Sequence, residues 1–533
     1  MKILRSITTV SSFTIGTRFL GVIRDILAAS LLGATPAADA LVIAMKVPSF
    51  FRRFFAEGAI NAAFVPIFAG LHASKGLAPA RTFAEEIFSL ILLFMGLFVV
   101  GIEIFMPQII AFCVPGFRAT PERMDLAIQF TRITFPFILL ISLTALYSGI
   151  LNSLDRFAAV AASPLYGNLF IVLMALCGAS VIHSPGHLLS LSILGCGVVQ
   201  LLCVLLPSHR VGAKLHLRWP RLSPQSRQFL KIMAPVALSS GFYQINIMVG
   251  LGISSLLPVG GVACLYYAER LNQVPISVIG TAMGTVLLPF LTRLIRTNEI
   301  EAAHKCQNQG IELGLLISIP VMIGLLFLSQ PLVKVLFEHN EFSAADTLRT
   351  AQALQYFALG LPAYILTKIF TTRFFAQQDT TTPLYSAAIC VVIDIFLSLY
   401  FIGFLNNLLP KLGAEFLIIR PMGHQGIALA TALSAWVNVI LLGWTLSAKG
   451  YFVPSQRLKW FLPRLGIVGI LTTGVMSGLM RLVTPLIAGA ASDQIFALAL
   501  LIIVGLVTYL ILGKLTGAVN IHELNTQIQK SSS

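Results

Sequence analysis

The sequence is short of charge, and shortest of acid. Charged residues make up 11% of the chain, and Lys+Arg outnumber Asp+Glu by 36 to 21. Ordinary soluble domains carry about a quarter of their residues as Asp, Glu, Lys and Arg. A chain of 533 residues with 57% hydrophobic composition and a mean hydropathy of +0.88 therefore has no room for a large soluble domain. Enzyme signatures are missing too. No G-x-x-x-x-G-K-[ST] loop occurs, so the chain is not expected to be an ATP-driven pump, and neither an H-E-x-x-H helix nor a G-x-S-x-G elbow is present. An aspartate-rich run of the kind that holds metal in prenyl transferases is also lacking.

Cysteine is sparse and unpatterned. Cys113, Cys177, Cys196, Cys203, Cys264, Cys306 and Cys390 fall mostly in apolar runs, are odd in number and form no C-x-x-C pair. Small buried residues are expected there, with no disulfide framework and no metal centre. His183, His187, His209, His216 and His424 fall in expected loops without the spacing of metal ligands. The N-terminus, Met1-Lys-Ile-Leu-Arg, runs directly into an apolar stretch without a small-residue cleavage site, so no cleaved leader is expected.

What the chain does have is long apolar runs. About fourteen are long enough to cross a bilayer, each needing roughly 20 residues. They lie near 6–32, 37–70, 83–112, 124–151, 160–182, 187–207, 228–256, 262–291, 310–337, 348–376, 383–404, 424–447, 460–482 and 493–513. Lipid offers the backbone no hydrogen-bond partners, so such segments are expected to be helices. An even number of spans with a cytoplasmic N-terminus puts about three times as many basic loop residues on the cytoplasmic side as on the other. The cluster Arg210, Lys214, Arg218, Arg221, Arg227 and Lys231 supplies much of that bias. This accounts for the positive net charge without nucleic acid. Both termini are expected inside.

A weak duplication runs through the chain. "SPLYGN" at Ser163–Asn168 resembles "TPLYSA" at Thr382–Ala387, and "FVPIF" at Phe64–Phe68 resembles "LLPFL" at Leu287–Leu291. Both pairs are offset by about 220 residues, the signature of a repeat. The expected division is a six-helix lobe over 1–222, a second over 223–450 and a C-terminal helix pair over 451–533. Transporters built from repeats bind between them.

The basic residues left inside spans are the informative ones: Arg18, Arg24, Lys46, Arg52, Arg53, Arg132, Arg270 and Lys368. A mid-bilayer arginine costs between about 2.5 and 17 kcal/mol unless it meets water or a counter-charge. At about 100° per residue, Asp39, Lys46 and Arg53 share one helical stripe, with Glu57 a turn further on. Two acids and two bases make that stripe self-neutralising, suited to structural or gating contacts. Pro48 is expected to kink this helix. Arg52 points roughly 140° away from the stripe, and Arg24 about 120° from the face that Arg18 shares with Asp25. Arg270 has Glu269 next to it in sequence but on another face. Arg18, Arg24, Arg52 and Arg270 are thus the cations hardest to satisfy locally. A shared cavity for an anion explains them, and arginine in place of lysine favours a phosphate or carboxylate. Arg132 and Lys368 lie near span ends, where snorkelling suffices.

These same stretches resemble a known family. "TRFLGVIRD" at Thr17–Asp25, "ADALVIAMKVPSFFRRFFAEGAINAAFVP" at Ala38–Pro66 and "YYAERL…PISVIGTAMGTVLLPFL" ending at Leu291 are similar to the signature of the MurJ/MviN family. These are lipid II flippases of the multidrug/oligosaccharidyl-lipid/polysaccharide exporter superfamily. Thr17 and Pro48-Ser49 depart from the usual residues while keeping a small polar group. The resemblance implies an all-α polytopic membrane protein: two six-helix lobes in a V, and two C-terminal helices forming a groove for a lipid tail. It implies export of lipid II, an undecaprenyl pyrophosphate bearing a disaccharide-pentapeptide, to the periplasmic leaflet of the bacterial inner membrane by alternating access. The family's cavity arginines fall on Arg18, Arg24, Arg52 and Arg270, and its motif acids on Asp25, Asp39 and Glu57. No cofactor and no catalytic step are implied. Energy would come from the membrane potential or an ion gradient, and partners would be lipid II, membrane lipids and the cell-wall machinery. Some members carry a cation site in the second lobe, for which Asp379 and Asp394 are the candidates here. The alternatives are an exporter of another polyprenyl-linked saccharide or a multidrug exporter. The second should prefer acids in its cavity. A membrane-embedded transferase would need a catalytic base or metal site, which the sequence does not offer, and a non-transporting scaffold would leave the embedded arginines unexplained.

Overall fold

The computed structural model describes residues 2–55, 59–178, 182–219, 222–407, 418–487, 489 and 491–518. It is helical from end to end, with no strand among the described residues. The helices are α1 (Lys2–Leu32), α2 (Pro36–Phe55), α3 (Ala59–Lys75), α4 (Leu77–Ile104), α5 (Met106–Cys113), α6 (Pro121–Thr134), α7 (Phe137–Ser153), α8 (Phe157–Cys177) and α9 (Pro185–Arg210). There follow α10 (Pro224–Ser254), α11 (Gly261–Arg296), α12 (Ile300–Phe337), α13 (Ala344–Leu359), α14 (Leu361–Ala376), α15 (Thr381–Phe401), α16 (His424–Ala448), α17 (Gln456–Ile487) and α18 (Ala491–Leu515). Eleven stretches are long and apolar enough to cross a membrane, so this is a multi-pass membrane protein. The other three runs read from the sequence, around α1, α2–α3 and α10, are helical as well. In α1 and α2 the embedded charges lower the hydropathy.

Several runs that read as one span are two helices, and proline explains the breaks. α4 and α5 part at Phe105, with Pro107 in the first turn of α5. α6 and α7 part at Phe135–Pro136, and α13 and α14 at Gly360, with Pro362 opening α14. Proline lacks the N–H that would continue the ladder. The last two breaks recur at matching places: Pro121–Ser153 and Ala344–Ala376 are each 33 residues long. α2, by contrast, runs unbroken through Pro48. Pro48 cannot donate to the Ala44 carbonyl, and the buried Thr134 hydroxyl does so instead at 2.7 Å.

The chain forms two compact units, Met1–Ala263 with His339–Ser343, and Cys264–Glu338 with Ala344–Ser533. In the first, α8 and α9 pack together and α1 lies along α8. Glycine lets α8 and α9 meet: a Cβ on Gly167 would sit 2.7 Å from the Cys196 sulfur and from the Gln200 amide. Gly33 ends α1 at φ 58, and its bare Cα admits the Glu341 carbonyl, which any side chain would hit. The second unit has a continuous apolar core that includes Leu291, Leu315, Ile365, Ile369, Phe374, Leu442 and Leu465.

Candidate anion site

In α1 the structure revises the phase argument. Arg24 is not left without a local acid. Its Nε and Nη2 donate to Asp25 Oδ1 at 3.0 and 2.8 Å, although Asp25 is its immediate neighbour. A guanidinium is long enough to reach round the helix, whereas the angular argument follows only Cβ directions. The third contact comes from α8: Arg24 Nη1 donates to Asn168 Oδ1 at 3.2 Å. The Asn168 amide in turn donates to the Thr17 carbonyl at 3.2 Å, so it is fixed from both ends. Asp25 is buried and Arg24 half-buried, with 20% of its side chain exposed. Arg18, one turn and a half earlier, is exposed.

Arg52 lies near the end of α2 and is half-buried, as are Lys46 and Arg53. Arg24 and Arg52 both come within electrostatic reach of Cys196 on α9. Two of the predicted arginines, one from α1 and one from α2, thus lie in the neighbourhood of Cys196. Glu57 lies outside the described residues.

Asp39 does something the sequence did not suggest. Its carboxylate is fully buried and forms an ion pair with Arg123 Nη2 of α6 at 2.8 Å. It also accepts the Gly260 N–H at 2.7 Å and the Ala263 N–H at 2.8 Å, capping the first turn of α11. Arg123 donates to the Leu257 carbonyl at 3.1 Å and lies 4.1 Å over the Phe117 ring. The expected stripe of Asp39, Lys46, Arg53 and Glu57 is corrected at its first member: Asp39 is neutralised by another helix. In the sequence Arg123 follows "TPE" at a span boundary, where a basic residue ordinarily faces water. Nothing in that sequence marks it as buried. Asn168, by contrast, stood inside the "SPLYGN" patch as a polar residue in an apolar span, which is a usable signal.

The second unit holds the fourth predicted arginine. Arg270 is half-buried on α11, donates from Nε to the Tyr266 hydroxyl at 3.1 Å and sits 5.0 Å from that ring's centre. Aromatic faces hold arginine without neutralising it. Lys368 is exposed, and Arg132 lies 4.0 Å from Glu103. The two cation candidates differ. Asp379 is in the loop after α14 and binds Lys449 at 2.7 Å, the Thr382 N–H at 3.0 Å and the hydroxyls of Thr381 and Thr382. Partial burial alone would raise this carboxyl, but the Lys449 ammonium and those donors outweigh it and hold it well below the usual range. Asp394, within α15, lies near Thr431, and its buried Oδ1 has no hydrogen-bond partner among the described residues. It is the better candidate of the two. No three His, Cys, Asp or Glu side chains converge among the described residues.

A family model described as lipid II flippase MurJ matches residues 28–501. The chain is 33% identical over 99% of its length to a probable lipid II flippase of Rhizobium tropici, covering 97% of that protein. It is 36% identical over 89% of its length to the Rhizobium meliloti (strain 1021) counterpart, covering 86% of it. Among solved structures, a lipid II flippase in an inward closed conformation superposes with a TM-score of 0.74 at 25% identity, covering 95% of this chain and 98% of that one. An inward-facing multidrug transporter of the wider superfamily superposes at 0.60 and 15% identity, which speaks to the fold alone. With most of its length matched by the family model and by relatives above 30% identity, the chain belongs to the lipid II flippase family MurJ.

Proposed function

We propose that the chain carries lipid II from the cytoplasmic to the periplasmic leaflet of a bacterial inner membrane by alternating access. The observation that carries this reading is the placement of Arg24 and Arg52 within electrostatic reach of the same residue, Cys196, in the first unit, with Asp25 and Asn168 orienting Arg24. Two permanent cations beside an adaptable amide suit a diphosphate, whose oxygens accept bidentate guanidinium contacts. Arg24 is partly open, so a ligand oxygen can share or displace the Asp25 contact. Arg18 and Arg270 extend the cationic lining in this reading. A cavity for cationic drugs would instead present unpaired acids.

The reading places both termini in the cytoplasm. It takes 1–222 and 223–450 as repeated lobes and 451–533 as an added helix pair. Support for the repeat comes from the matching proline breaks and from the two 21-residue helices α8 and α15, which carry the "SPLYGN" and "TPLYSA" patches. The chain works without a cofactor and catalyses no bond change. Its energy comes from the membrane potential or an ion gradient. Moving an anion out of a negative interior gains about 2.3 kcal/mol per charge per 100 mV, so two phosphate charges gain roughly 4–5 kcal/mol if the arginines stay in place.

Depletion of the protein in its host, with any paralogue removed, tests the proposal. Lipid II exposed at the outer leaflet should fall while total lipid II rises. Undiminished exposure would refute it.

A further inference from the structure

Arg373 is the anomaly of the second unit. It occupies the last turn of α14 and has no exposed surface at all. α14 approaches α12 closely because α12 is bare at two positions. A Cβ on Gly314 would lie 2.7 Å from Ile369 and 3.1 Å from Ile365, and one on Gly310 would lie 3.8 Å from Ile369. The pairing runs antiparallel, so the next turn sets Arg373 level with Cys306 and Gln307. Its charge is indeed within electrostatic reach of Cys306 and His304.

Only one part of the guanidinium has a partner. Nε donates to the Tyr451 carbonyl at 3.2 Å. Nη1 and Nη2 are buried without a hydrogen-bond partner among the described residues. So are both polar atoms of the Gln307 amide, also fully enclosed, and the Nδ1 of His304. Asn308 closes the same end of the unit: its amide donates to the Val453 carbonyl at 2.9 Å and its oxygen accepts the Ser455 N–H at 3.2 Å.

Among the described residues no acid is at hand to neutralise the charge. α14, α16 and α17 contain no Asp or Glu. Asp379 is committed to Lys449 and Thr382, Glu312 to Arg457, and Glu301 is exposed. Arginine does not shed its proton in such a place. A buried ion without a partner is strongly unfavourable.

We propose that Arg373, Gln307 and His304 form an internal site for a small inorganic anion of the halide type, separate from the arginines of the first unit. The Nη edge of Arg373 and the Gln307 amide supply the donors, and a neutral His304 protonated on Nδ1 adds another. Arg373 and Gln307 are fully enclosed and His304 half-buried, surroundings that favour a single-atom ion over an oxyanion or a headgroup. The ion locks the ends of α12 and α14 and the 449–455 connection together.

The test uses purified full-length protein with chloride exchanged for gluconate at constant ionic strength. Chloride and bromide are expected to raise Tm saturably, and bromide to give an anomalous diffraction peak beside the Arg373 guanidinium. Arg373→Met should abolish the halide dependence. Should that variant not fold, Gln307→Leu keeps the cation and should weaken the halide midpoint by about fivefold, the loss of one hydrogen bond. A Tm indifferent to halide, with water in place of the bromide peak, would overturn the proposal. So would a full halide shift retained in both variants.

Discussion

Arg24 and Arg123 make ion pairs of the same length, 2.8 Å, inside the same unit. They differ in what surrounds them. The Arg123–Asp39 pair is sealed, with 2% and 0% of the side chains exposed, and Asp39 spends its remaining lone pairs on two backbone N–H groups. The Arg24–Asp25 pair is open on the arginine side, and its third partner is a side-chain amide that can turn. A pair sealed away from water, with its carboxylate spent on the guanidinium and two backbone N–H groups, is closed to a ligand and serves to fix α2, α6 and the start of α11. An open pair, whose contacts include an acid and a side-chain amide, can exchange partners. Distance alone would not have separated the sealed charge from the open one.

Substitution can break the contrast. The largest effect on stability should come from Arg123→Met, which strands the buried Asp39 carboxylate. About 3–5 kcal/mol should be lost, visible as a large fall in Tm or in folded yield. Arg24→Lys should keep a cation beside Asp25 but lose the forked contact to Asp25 and Asn168. Transport should drop markedly with Tm almost unchanged, because lysine does not replace arginine at a bidentate site. If Arg24→Lys unfolds the protein as Arg123→Met does, the two pairs are not different in kind. Asn168→Ala removes a single hydrogen bond to Arg24 and should cost about 1 kcal/mol, read as a several-fold loss of transport.

The smallest effect belongs to a third pair, Lys449–Asp379, in the loops, with 43% of the lysine exposed. Surface pairs contribute about 0.2–1 kcal/mol. The folded Asp379 carboxyl titrates below its ordinary 3.8, so its contribution is present above about pH 4 and fades as the pH falls below that. Asp379→Asn should lower Tm slightly at neutral pH and leave it equal to the parent in strong acid. A difference that grew on acidification would contradict the assignment.

The helical architecture was legible because lipid forces it: long apolar runs have no other stable form. The breaks at Pro136 and Pro362 could have been read from the prolines, while Pro48 misleads, since its cost is met by Thr134, a residue far away in the chain. The cations inside spans were legible for the same reason that buried charge is costly. Their partners were not. Helical phase describes where Cβ points, and a guanidinium reaches several ångströms beyond it, so Arg24 found Asp25 against the angular argument. Arg123 and Arg373 escaped notice because they stand near span ends, where a basic residue ordinarily faces water. Only packing reveals that α6 and α14 bury them.

The central claim is that the open arginines of the first unit hold the pyrophosphate of the cargo. Arg52→Ala, expressed as the sole copy, tests it most directly, with lipid II at the outer leaflet measured alongside protein level and Tm. Exposure should fall to that of depleted cells while the protein remains present and folded. Exposure at the parental rate would contradict it.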